Sequence, residues 1–167
     1  KLPPSMCGIA GLFFKNGARP ERLGPLFSPM LCRMESRGAD SVGFAIYGDE
    51  APAGSHWLTL GGTTQTDWPA ITGWLSAMLA SPIEEPRVLH THAIYEVPLG
   101  TEAAVAGIES AFPVVIMSSG RKMQIFKEAG APSELLDLFG LASARGTHAI
   151  GHTRMATESA VVTAGAH

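Results

Sequence analysis

Apolar positions along the chain switch between a two-residue and a near-four-residue repeat, and this switching predicts its elements. Met6 to Phe14 reads as a short, strongly apolar strand opening at Cys7-Gly8-Ile9-Ala10-Gly11. Small residues there let another backbone or a ligand come close. Leu23, Leu26, Phe27, Met30, Leu31 and Met34 follow helical spacing, interrupted by Pro25 and Pro29. Ser28 before Pro29 suits a helix start, so regular helix is expected from Pro29 to about Glu35. Arg37 to Ser41 reads as a polar loop, Val42 to Tyr47 as a second strand and Trp57 to Leu60 as a third. Ile71, Trp74, Leu75, Met78 and Leu79 form another apolar helical stripe, opened by Asp67 and Pro69. Val88 to Val97 reads as one strand. Val114–Met117 and Met123–Lys127 flank Ser118-Ser119-Gly120-Arg121, a hairpin signal. Ser133 to Phe139 is a short helix stopped by Gly140, and Thr147 to Thr153 is a strand leading into Arg154-Met155-Ala156-Thr157.

Strands outnumber helices, and the helices fall between them, which predicts an α+β layered domain. The 167 residues are 46% hydrophobic and 16% charged, the balance of a folded globular protein. The net charge of −3 gives no basic excess, so no nucleic-acid partner is expected. No apolar run approaches the roughly 20 residues of a membrane-spanning helix, and the N-terminus lacks the apolar stretch of a signal peptide. Two cysteines, Cys7 and Cys32, make no disulfide framework and fit a reducing compartment, with the cytoplasm as the default. Cys32 falls within the Leu31–Met34 helical turn and reads as packing. His90 and His92 would share one face of a strand, as would His148 and His152. No third ligand has matching spacing, so no metal site is predicted. Ala164-Gly165-Ala166-His167 carries no terminating signal, and the expectation is a domain whose sheets are completed by strands beyond His167.

Three segments carry chemistry: Met6-Cys7-Gly8-Ile9-Ala10-Gly11, Arg37-Gly38-Ala39-Asp40-Ser41-Val42-Gly43, and Gly151-His152-Thr153-Arg154-Met155-Ala156-Thr157 with His167 farther on. Taken together and in this order they resemble the class II glutamine amidotransferases. About 110 residues separate Ser41 from His152, and glutamate synthases and their relatives have long inserts at this point. The wording Gly-His-Thr-Arg-Met-Ala-Thr-Glu-Ser resembles the free-standing amidotransferase subunit of glutamate-synthase-like and N-methylglutamate synthase systems. The resemblance implies an N-terminal-nucleophile hydrolase fold, a four-layer α/β/β/α sandwich with antiparallel sheets, here truncated at the C-terminus. Residues 1–6 would be an N-terminal extension, a scar or propeptide, and residues 7–167 the N-terminal portion of the domain.

The chemistry accounts for the residue types. Glutamine's carboxamide is a poor electrophile, so a strong nucleophile such as Cys is required. In this family the base is the nucleophile's own α-amine, whose pKa of about 7.7–8.0 suits proton transfer near neutrality. Cys7 would therefore act as nucleophile only once residues 1–6 are removed. The resemblance implies that Arg154 grips the substrate α-carboxylate with its planar guanidinium. Thr157 and His167 would lie at the same substrate pocket, and Glu158 departs from the His of some branches. Arg37, Gly38 and Asp40 would form a supporting loop beside Cys7. The family's oxyanion donors and its amine-binding Asp follow His167, so the segment as written is expected to be inactive. Ammonia released from L-glutamine would pass to synthase partner subunits. Flavin and iron–sulfur clusters would sit on those partners, because this chain has no nucleotide-binding glycine motif and too few cysteines. The competing expectation is a catalytically inactive glutamine-binding or scaffolding module of a synthase complex.

Overall fold

The computed structural model describes residues 7–15 and 19–155. Residues 1–6, Thr157, Glu158 and His167 lie outside the described residues. The chain divides into two compact units, one formed by residues 1–49 and 125–167, the other by Glu50–Gln124. Each holds one four-stranded antiparallel sheet.

The first unit is built on β1 (Gly8–Phe13), β2 (Ser41–Tyr47), the later part of β7 (Met123–Ala129) and β8 (His148–Arg154), in spatial order β1-β8-β2-β7. Helices α1 (Leu23–Arg33) and α5 (Pro132–Leu138) belong to the same unit. α1 is longer than the sequence suggests. It begins at Leu23, directly after a 3-10 turn at Pro20–Arg22, and runs through both prolines. Pro25 sits in the first turn, where no amide donor is needed. Pro29 gives up one bond, but Leu23, Phe27 and Leu31 at i, i+4 and i+8 are fully buried, and that packing outweighs the loss. Ser28 is consequently a buried residue in mid-helix and not a cap. Phe44, Phe126 and Phe139 complete the core as a triangle of rings with centroids 5.1–5.9 Å apart.

The second unit holds β3 (Ser55–Gly61), β4 (Arg87–Leu89), β5 (His92–Pro98) and β6 (Val115–Gly120) in the order β4-β5-β3-β6, with α2 (Trp68–Met78), α3 (Glu102–Val105) and α4 (Ile108–Ala111). α2 starts where its signals lie: the Asp67 side chain accepts from the Ala70 N–H at 3.0 Å, and Pro69 occupies the first turn. Its buried Ile71 and Leu75 pack with Leu58, Leu60, Tyr95 and Val97 of the sheet.

Two strand expectations are corrected. Val88 to Val97 is a hairpin: Leu89 pairs with His92 across a turn at His90–Thr91, and His90 has φ of 52°. His90 and His92 therefore do not alternate along one strand. The strands flanking Ser118–Arg121 do not pair with each other either. β6 pairs with β3, whereas β7 lies beside β2 in the other sheet. Among the described residues no helix is long and apolar enough to cross a membrane.

Candidate active site

The β1–β8 ladder places the two ends of the described chain side by side. Gly8 pairs with Thr153, Ile9 with His152 and Ala10 with Gly151. Extending this register by one residue sets Cys7 opposite Arg154. On the other side of β8, Arg154 pairs with Ser41, the first residue of β2. Cys7, Arg154 and Ser41 thus lie toward the same end of the sheet.

Alternation then separates the two faces. Gly8, Ala10, Ala149, Gly151 and Thr153 are buried on the side of α1. Cys7 is exposed on the other side, with Ile9 at 69%, Phe13 at 62% and Ile150 at 53% exposure. Farther along this open face His148 stacks on Tyr47 at 3.8 Å and meets Phe13 edge-on at 5.4 Å. Its Nδ1 also lies 2.9 Å from the Thr147 hydroxyl. Among the described residues no group of three or more His, Cys, Asp or Glu side chains could hold a metal ion.

An open depression of about 590 Å³ lies on the same face. Cys7, Ile9, Ala45, Ile125, Lys127 and His152 are among its walls; Arg154 is not. Sequence reading assigned Lys127 no role, and named His152 within the Gly151–Thr157 motif and as a metal-ligand candidate without a site role of its own. The two-residue repeat would have put His152 on Arg154's face, but only the register with β1 sets it beside Ile9, one pair along from Cys7.

The loop from Arg37 to Asp40 is tied to this end of the sheet. The Asp40 N–H donates to the Arg154 carbonyl at 3.0 Å, and the Asp40 carbonyl accepts from Gly130 N–H at 2.8 Å. Gly38 lies against the β8 backbone: a Cβ there would sit 2.6 Å from Arg154 N and 2.6 Å from Thr153 C. The Arg37 side chain is exposed, whereas the Arg37 backbone N–H donates to the Met34 carbonyl at 2.9 Å. Glu35 at the loop's start accepts from Ser133 N–H at 2.8 Å. The other cysteine, Cys32, is half-buried on α1. Burial pushes its thiol pKa up, the Glu35 and Asp137 carboxylates add to that push, and a bond with Ser28 opposes it. A thiol so disposed carries little thiolate at neutral pH.

No protein-family model matches the chain. It is 38% identical over 164 residues to the glutamine amidotransferase-like protein GlxB of Rhizobium meliloti (strain 1021), a match covering 97% of this chain and 54% of that protein. It is 32% identical over 167 residues to a protein of Methanothermobacter thermautotrophicus also named as a glutamine amidotransferase, covering 93% of this chain and 54% of that protein. The chain is related along nearly its whole length to glutamine amidotransferase-like proteins, which supports reading it as part of a glutamine amidotransferase domain, and it spans about half the length of each of these two relatives.

Proposed function

We propose that this chain is the nucleophile-bearing part of a class II glutamine amidotransferase that releases ammonia from L-glutamine for a synthase partner. The observation that supports the reading is the register of β1 on β8, which pairs Gly8 with Thr153, so that Cys7 and Arg154 each flank the same pair although 147 positions apart in sequence. Glutamine's reacting amide and its α-carboxylate lie at opposite ends of one small molecule, and holding both at once supplies much of the rate. Arg154 takes the carboxylate. Cys7 Sγ attacks the side-chain carbonyl carbon after its proton passes to its own α-amine. The C–N bond then breaks, the departing nitrogen takes that proton as ammonia, and a thioester remains. Water hydrolyses the thioester to glutamate and restores the thiol. Thr157 and His167 contribute to the substrate pocket, and Arg37, Gly38 and Asp40 hold the loop beside it. Flavin and iron–sulfur clusters belong to the partner subunits.

The open face of the first sheet supports the N-terminal-nucleophile reading of the fold. In a four-layer sandwich a second sheet covers this face, and Ile9, Phe13 and Ile150 are the apolar side chains it would bury. The test is glutamate production by the complete protein with Cys7 at its N-terminus. Turnover that is abolished by Cys7→Ala supports the reading. An N-terminal-Cys7 protein that binds glutamine without hydrolysing it, even with its synthase partner present, points to the inactive binding module instead.

A further inference from the structure

Next to Arg154 on β8 lies a residue that the chemistry above does not use. Thr153 is fully buried on the covered face, between Gly8 on β1 and Val42 on β2. Its hydroxyl donates to the Met34 carbonyl at 2.9 Å. The same carbonyl accepts from the Arg37 N–H at 2.9 Å and the Gly38 N–H at 3.2 Å. One acceptor at the end of α1 therefore gathers the loop that follows it and the strand that carries Arg154. Gly8 makes room for this arrangement, since a Cβ there would meet Thr153 Oγ1 at 2.8 Å and Met34 Cβ at 2.7 Å.

We infer that Thr153 is a positioning residue, whose hydroxyl bond to Met34 fixes the backbone of Arg154 opposite Cys7 and so sets the grip on the substrate carboxylate. Two connections make the coupling local. Arg154 is the next residue in β8, and its carbonyl holds the Asp40 N–H of the loop that Met34 anchors. Without the hydroxyl, the Met34 carbonyl still has its two amide donors, so the fold is retained while the end of β8 loses its side-chain link to the end of α1. The inference rests on the proposed glutaminase chemistry, and its test separates the two.

The probe is a diazoketone analogue of glutamine, which keeps the α-amine and α-carboxylate and alkylates a thiol with loss of N₂. Iodoacetamide serves as the comparison, because it needs the thiol but no carboxylate grip. In the complete protein beginning at Cys7, Thr153→Val should label about tenfold more slowly with the analogue, and its KM for glutamine should rise by a similar factor. Labelling of Cys7 by iodoacetamide should be unchanged, and Thr153→Ser should restore both analogue labelling and KM. Equal analogue labelling of wild type and Thr153→Val overturns the inference alone, as does a lowered Tm with KM unmoved. A wild-type protein inert to the analogue overturns the proposed function, and this inference with it.

Discussion

Replacing Gly38 with Ala tests how tightly the loop must sit on β8. The added Cβ would lie 2.6 Å from Arg154 N, 2.6 Å from Thr153 C and 2.7 Å from Arg154 C. Carbon contacts normally settle at about 3.5–4.0 Å, so the deficit is roughly 1 Å against three atoms at once. All three are backbone atoms of a strand paired on both sides, and none can rotate away. The loop has to lift. A displacement of that size takes the 3.0 Å Asp40–Arg154 bond and the 3.2 Å Gly38–Met34 bond beyond hydrogen-bonding range. Overpacking costs about 1–3 kcal/mol and each lost bond about 1 kcal/mol. The expected total is about 3–5 kcal/mol, which in a protein of this size lowers Tm by roughly 6–20 °C.

Gly73 supplies the internal comparison. It lies exposed in α2, and a Cβ there meets nothing within 4 Å. Gly73→Ala should therefore stabilise by about 0.5–1 kcal/mol, the ordinary helix preference for Ala over Gly. Thermal melting of both variants, with steady-state glutamine hydrolysis of the complete N-terminal-Cys7 protein, measures the contrast. Gly38→Ala should raise KM at least tenfold while Gly73→Ala leaves it alone. A Gly38→Ala protein within about 0.5 kcal/mol of wild type and with unaltered KM refutes the close-approach argument.

Because Gly38 and Thr153 converge on the Met34 carbonyl, the double variant Gly38→Ala/Thr153→Val should lose less stability than the two single losses added together; strict additivity in urea unfolding counts against a shared anchor. Cys7 should take up iodoacetamide well before Cys32 at neutral pH, because burial raises the Cys32 thiol; peptide mapping reads the order, and Cys32→Ala should leave turnover nearly intact. Tyr95 is buried and its hydroxyl donates to the Trp68 carbonyl at 3.1 Å. Burial pushes its phenol up to about 12, the Glu85 carboxylate adds to this, and Thr72 opposes it. With the folded pKa raised, the contribution is complete below about pH 10 and is lost as pH rises toward about 12. Wild type should therefore lose on the order of 2 kcal/mol more than Tyr95→Phe over that interval, measured by urea midpoints.

The sequence was most informative where a local signal had no competitor. Asp67 and Pro69 open α2 as written, and Gly140 stops α5 with φ of 65°. It misled where a local rule met a tertiary one. Ser28-Pro29 reads as a helix start, yet the burial of Leu23, Phe27 and Leu31 carries α1 through it from Leu23. Ser118–Arg121 has turn residues, but turn chemistry does not choose a ladder partner, and β3 takes β6. The turn at His90–Thr91 lacks Gly, Pro, Asn and Asp altogether. Its left-handed residue is His, one of the few non-glycine types enriched there.

For the candidate site, motif and fold contribute different kinds of information. The motifs name Cys7 and Arg154, but neither motif contains the pairing that joins them, because register is a property of two strands. Once Gly8 pairs with Thr153, alternation assigns every neighbour a face without further assumption. Along β1 and β8 the residues facing α1 are mostly small or short, with Gly8, Ala10, Ala149, Gly151 and Thr153 beside the larger Leu12. Those facing outward include Cys7, Ile9, Phe13, His148, Ile150, His152 and Arg154. A helix lying close on one face demands the small set, and chemistry on the other demands the varied set. Stability and activity should therefore separate along each strand with a period of two. Thr153 is the position where that separation fails, because it faces the helix while holding the strand end that carries Arg154. A substitution there should register in both ledgers, whereas Ala149 should register only in stability and Cys7 only in activity.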